Sequence, residues 1–80
     1  MAKKKERRWA VKTKGGRFVV ESYLFQQVFT EVDAVEDASL YLADMRDYAS
    51  VVAGRCEKAL GTTCDVVPVD YWPARCKEAK

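Results

Sequence analysis

No histidine occurs among the 80 residues. Ser–His and Cys–His nucleophile pairs therefore cannot be assembled within this chain. Glycine is sparse, with 4 residues, and Lys14-Gly15-Gly16-Arg17 lacks the spacing of a phosphate-cradling loop. No apolar run approaches the roughly 18 residues needed to span a bilayer. No apolar segment follows the N-terminal lysines, so neither a membrane span nor a secretory leader is expected, and a cytoplasmic protein is the default. Carboxylates do cluster, but on a helix face read as solvated, where nothing would drive their pKa values apart for acid–base work. An enzyme is not expected, and neither is a cofactor.

Cysteine is also scarce. Cys56, Cys64 and Cys76 leave at least one thiol unpaired, and the pattern Cys-x7-Cys-x11-Cys fits no disulfide framework or zinc motif. Without histidine, a metal site would have to recruit a further ligand such as Asp65. The thiols are read as buried or inert, with no metal site.

The charge that is present is unevenly placed. The formal net charge is only +2. Lys3, Lys4, Lys5, Arg7, Arg8, Lys12, Lys14 and Arg17 face only Glu6 within residues 1–17. Residues 31–47 reverse this, with Glu31, Asp33, Glu36, Asp37, Asp44 and Asp47 against Arg46. The chain is bipolar rather than basic.

Its most regular stretch is Asp33 to Leu60. Val35, Ala38, Leu42, Met45, Ala49, Val52, Cys56 and Ala59 alternate at spacings of three and four, which stacks them on one side of a helix. Asp33 and Glu36 read as a capping box, and Gly61 as the stop. One helix would run about 42 Å at 1.5 Å per residue, so a break near Ala43, with Asp44 capping a second helix, is the alternative.

Before that stretch, Arg8 to Phe25 reads as a β-hairpin turning on Gly15-Gly16. With those two glycines as the loop, Trp9, Val11, Phe18, Val20 and Leu24 share the core face. Val19, Glu21 and Tyr23 then share the outer face with the basic residues. Gln26 to Val32 reads as a short third strand or an extension of the second. After the helix, Cys64 to Val69 reads as a strand antiparallel to the first, at an edge because Pro68 cannot donate to a ladder.

These elements predict an α+β fold: an antiparallel sheet of about three strands packed against one long or broken amphipathic helix. The sheet would combine the N-terminal hairpin with one C-terminal strand. The expected layout is a flexible basic arm over residues 1–8, a single domain over 9–72 and a charged tail over 73–80. The core is expected to comprise Trp9, Val11, Phe18, Val20, Leu24, Val35, Ala38, Leu42, Met45, Ala49, Val52, Cys56, Leu60 and Val66.

Two binding surfaces stand out. Opposite the buried stripe of the expected helix, Leu40, Asp44, Asp47 and Val51 form one outward row, flanked by Tyr41 and Tyr48. An acidic, aromatic-edged row of this kind suits a protein partner with a basic face, since tyrosine is enriched in interface cores. The bland alternative is that the tyrosines edge the core and the two aliphatics are incidental. A homodimer, with the acidic helix of one copy on the basic hairpin of another, is a further possibility. The second surface is for nucleic acid, through Lys3, Lys4, Lys5, Arg7 and Arg8 of the arm with Lys12, Lys14 and Arg17 of the hairpin.

In layout, the basic start, hairpin, acidic helix and last strand resemble small phage-encoded accessory proteins, including the anti-CRISPR proteins that inhibit bacterial defence complexes by binding them. The resemblance covers the whole chain and rests on no diagnostic residue. It implies a non-enzymatic inhibitor or adaptor that occludes a surface of a larger protein or nucleoprotein complex. It further implies either an acidic helix that imitates nucleic-acid phosphate or a basic arm that helps the protein dock on a nucleoprotein.

Overall fold

The computed structural model describes residues 5–23, 25–72 and 75–79. In chain order these form β1 (Glu6–Thr13), β2 (Phe18–Tyr23), β3 (Gln27–Val32), a 3-10 turn at Val35–Asp37 and β4 (Tyr41–Leu42). A second 3-10 turn at Ala43–Met45 leads into α1 (Arg46–Leu60), followed by β5 (Cys64–Trp72) and β6 (Arg75–Glu78). The α+β class and the single α-helix agree with expectation, but the sheet has 6 strands rather than about three. Its order is β3-β2-β1-β5-β6, with β4 also paired to β1. Beyond the hairpin and one C-terminal strand, the sheet gains β3, which is the short third strand read as one alternative for Gln26 to Val32, together with β4 and β6.

Each addition has a local cause. β3 folds back on β2 along its whole length, from Phe18 opposite Val32 to Tyr23 opposite Gln27. β6 pairs with β5 from Val69–Glu78 to Trp72–Arg75, so the expected charged tail is strand over residues 75–78. Pro68 consequently lies inside the sheet and not at an edge. The amide of Ala79 donates to the Pro68 carbonyl at 2.9 Å, while proline offers no donor in return. The ladder ends at this half-bonded pair.

Residues 6–8, expected in a flexible arm, are strand. Glu6, Arg7 and Arg8 belong to β1, opposite Tyr71, Asp70 and Val69 of β5. Leu24, Lys3 and Lys4 lie outside the described residues.

The hairpin forms in a different register from the expected one. Lys12, not Thr13, stands opposite Phe18. The loop takes three residues: the Gly16 amide donates to the Thr13 carbonyl at 2.9 Å, and Gly16 adopts φ 86°. That is a tight turn closed by a left-handed glycine. A one-residue slip exchanges the faces of the whole second strand. Val19 therefore joins Val11 in the core beside the helix, whereas Phe18 packs on the opposite face with Ala10.

The helix is half as long as the stripe suggests, with 15 residues from Arg46 to Leu60. Asp33 does not cap it; its carboxylate binds Arg17 Nε at 2.9 Å. Asp44 does not cap it either, since Met45 holds that position without a side-chain bond. Gly61 ends it as expected, at φ 68° with its amide donating to the Glu57 carbonyl. Residues 33–45 are used differently because β2 diverges from β1 after the turn, leaving a stretch of β1 backbone to be satisfied. Tyr41 and Leu42 fill it, opposite Trp9 and Arg8. Ser39 bonds the other lip: its amide donates to the Val19 carbonyl at 3.1 Å, and its Oγ accepts from the Glu21 amide at 2.8 Å.

The chain thereby passes from one face of the sheet to the other between β1 and β2. Val35 packs with Ala10, Phe18 and Val69 on the first face, with Ala38 and Leu40 beside it. On the second face Val52, Ala53 and Cys56 of α1 pack with Val11, Val19 and Cys64, and Tyr41 lies against them. Of the expected core, Leu42 and Met45 are exposed and Trp9 and Val20 are half-buried, while Ala10, Val19, Ala53, Cys64 and Val69 are buried instead. The described residues contain no helix long and apolar enough to cross a membrane.

Candidate protein-binding surface

The helix-side face ends, at its acidic corner, in a cluster of tyrosines. Glu21 of β2 and Gln27 of β3 point to this side, and β4 brings Tyr41 over them. The Tyr41 hydroxyl donates to Glu21 Oε1 at 2.9 Å, and Gln27 Nε2 donates to Glu21 Oε2 at 2.6 Å. Burial, reinforced by the Glu21 carboxylate, pushes the Tyr41 phenol well above the usual tyrosine range. Tyr41 is thus a neutral, fixed donor at physiological pH. Its ring meets that of Tyr48 on α1 at 5.6 Å and 59°, the tilted packing that aromatic pairs favour.

Tyr48 carries the cluster outward. Its side is exposed, as is that of Val51 one turn further along α1, at 39% and 51%. Tyr23, 62% exposed at the end of β2, is close enough to Tyr48 and Glu21 for both to raise its phenol further, after desolvation. Asp47 is exposed one residue before Tyr48, and Asp44, also exposed, lies in the turn leading into α1, beside Arg7 and Arg8. The result is an apolar, tyrosine-rich surface with an acidic margin.

Of the six residues expected in this surface, Tyr41 packs its ring on Tyr48, Val51 is exposed one turn further along α1 and Asp47 directly precedes Tyr48, whereas Asp44 lies beside Arg7, Arg8 and Leu42. Leu40 packs with Ala38 against the opposite face, because it precedes the crossing between β1 and β2. Tyr23 was the unexpected member. The register with Lys12 opposite Phe18 carries it to the helix side, and the left-handed Gly16 is what sets that register.

The basic residues of the alternative surface are largely engaged. Arg17 donates to Asp33 and, at 3.3 Å, to the Glu31 carbonyl. Lys12 binds both oxygens of Glu78 at 3.0 and 3.1 Å. Arg8 pairs with Glu6 at 2.7 Å and lies 4.6 Å from the Tyr71 ring centre. Lys5 and Arg7 share Asp70 at the looser distances of 3.8 and 3.9 Å. Lys14 is exposed at the turn, where its amide donates to the Thr63 carbonyl. Arg8 and Lys12 face one side of the sheet and Arg7 the other, so these residues do not form one continuous strip.

The three thiols do not converge either. Cys56 and Cys64 are buried on the helix side, and Cys76 lies among the apolar residues of the opposite face. Burial first, then its neighbour Cys64, pushes the Cys56 thiol up to about 12. The described residues contain no group of three or more cysteine, aspartate or glutamate side chains placed to hold a metal ion.

Comparison with protein-family models, with curated proteins and with solved structures finds no match to this chain.

Proposed function

We propose that this protein is a non-enzymatic binding module that uses Tyr23, Tyr48 and Val51, bordered by Asp44 and Asp47, to engage a protein partner. The observation that supports this best is the convergence of exposed tyrosines and an aliphatic side chain over an immobilised Tyr41–Glu21–Gln27 network. A small domain rarely leaves large apolar side chains together on a rigid support without a use for them, and tyrosine gives contact area at little entropic cost. The acidic margin specifies the partner: an apolar recess rimmed by lysine or arginine, on a larger protein or nucleoprotein complex. An inhibitor or adaptor of the phage type would act in this way, by covering a surface its target needs.

The test is affinity capture from nuclease-treated bacterial lysate, comparing wild type with a Tyr48→Ala/Val51→Asp variant shown by circular dichroism to be folded. A protein retained only by the wild type, once purified, should bind directly and more weakly as salt rises. An Asp44→Lys/Asp47→Lys variant should lower its association rate. Identical retention by both chains would refute this surface.

A further inference from the structure

The helix covers only part of its side of the sheet. Beyond α1, the register sets Arg7 of β1, Asp70 of β5 and Lys77 of β6 in one row across the strands, with Trp72 and Arg75 in the next. Lys5 adjoins this second row, near Asp70 and Trp72. Trp9 closes the patch at the helix end, opposite Pro68. Arg7, Arg75, Lys77 and Lys5 are exposed, and both tryptophans are half-buried.

Every aromatic ring here has a cation over it. The Arg46 and Arg7 guanidinium carbons lie 5.3 and 5.9 Å from the Trp9 ring centre, and that of Arg75 lies 4.8 Å from Trp72. Trp9 is held in place by its Nε1, which donates to the Ala43 carbonyl at 2.9 Å. Lys5, Arg7 and Lys77 thus gather around Asp70, and Arg46 and Arg75 lie over the two indoles, while Glu78 borders the recess that Lys5, Asp70, Trp72 and Lys77 line.

We propose that this uncovered part of the sheet binds single-stranded nucleic acid. Flat aromatic rings stack on any unpaired base, and flanking lysines and arginines track the phosphates. A guanidinium resting on a ring is a mobile cap. A base can take its place on Trp72 while Arg75 swings to a phosphate, so the ring face and the charge are both used. A duplex offers phosphates but keeps its bases stacked on one another, which favours the single strand. This surface is separate from Tyr23, Tyr48 and Val51, and from the paired cations Lys12 and Arg17.

The probe is an oligothymidylate of about a dozen nucleotides, long enough for one such platform. Binding should quench the fluorescence of the 2 tryptophans. Affinity should fall with salt at a log–log slope of about −2 to −3, as three or four phosphate contacts require. Trp72→Leu should weaken binding by roughly fivefold to a hundredfold, while Trp72→Phe, which keeps a stacking ring, should retain most of it. Arg75→Glu/Lys77→Glu should flatten the salt slope, and Tyr48→Ala should leave binding unchanged. Circular dichroism establishes that each variant is folded. Three outcomes would overturn the proposal: no quenching at low salt, equal affinity for Trp72→Leu and wild type, or equally tight binding of duplex or of an oligoglutamate peptide.

Discussion

At the scale of single residues, Glu21 organises its corner of the molecule because it accepts from both Tyr41 and Gln27. A carboxylate held by two donors on a half-buried surface fixes the ring of Tyr41, and through it that of Tyr48. The same burial makes the protein sensitive to alkali. The Cys56 thiol is raised from 9.0 to about 12, and the Tyr41 phenol is raised as well. Both groups are neutral when protonated, and folding holds their protons to higher pH than the unfolded chain does. Their contribution is therefore complete below about 9 and is lost as pH rises through the folded values. Urea midpoints should be level near neutrality and fall beyond pH 9, and the decline should be shallower in Tyr41→Phe, which lacks the titrating hydroxyl. A midpoint independent of pH in that range would contradict the assigned burial.

At the scale of elements, glycine decides two boundaries. Gly16 at φ 86° gives the hairpin its three-residue loop, and Gly61 at φ 68° ends the helix. A side chain in the left-handed region costs about 1–2 kcal/mol. Gly16→Ala and Gly61→Ala should each lower stability by roughly that amount in chemical denaturation, although neither Cβ would meet another atom within 4 Å. The hairpin, the helix stop and the antiparallel placement of β5 beside β1 were legible because each depends on local punctuation or on chain direction. The hairpin register was not. Both registers alternate apolar residues acceptably, and only the left-handed Gly16 separates them. The helix start was equally hidden, since Val35 and Ala38 keep helical spacing with α1 although they pack on the other face. Of the expected contact residues, Asp47, Tyr48 and Val51 lie on α1 itself, whereas Asp44 sits in the turn before it and Leu40 packs on the opposite face.

At the scale of the whole molecule, the charges that look polarised along the sequence are paired across the fold. Lys12 reaches Glu78 and Arg17 reaches Asp33, so acidic segments neutralise the hairpin. Composition cannot reveal this, because partners as distant as residues 12 and 78 meet only through strand order. At the far end of β1, β5 and β6, Lys5 and Arg7 share Asp70 only loosely, and Arg75 and Lys77 are exposed beside them. The sheet thus separates two surfaces, one acidic and tyrosine-rich, the other basic and tryptophan-bearing. A partner carrying both a basic protein surface and a single strand would be able to meet both.

The passage of residues 39–42 between β1 and β2 also divides the molecule mechanically. β1 and β5 are matched from Glu6–Tyr71 to Thr13–Cys64, and β2 and β3 from end to end, but β1 and β2 share only the Lys12–Phe18 pair. The fold behaves as two panels joined at a turn and laced by one short ribbon. Native-state hydrogen exchange should therefore show two cooperative units: β1, β5 and α1 opening only with global unfolding, and β2 with β3 opening at lower free energy. Ser39→Ala, which cuts the lace at the Glu21 amide, should widen that gap by speeding exchange in the β2–β3 panel alone. Because Tyr23 rides on that panel and Tyr48 on the other, the tyrosine surface straddles the hinge, and a partner gripping both would clamp it shut.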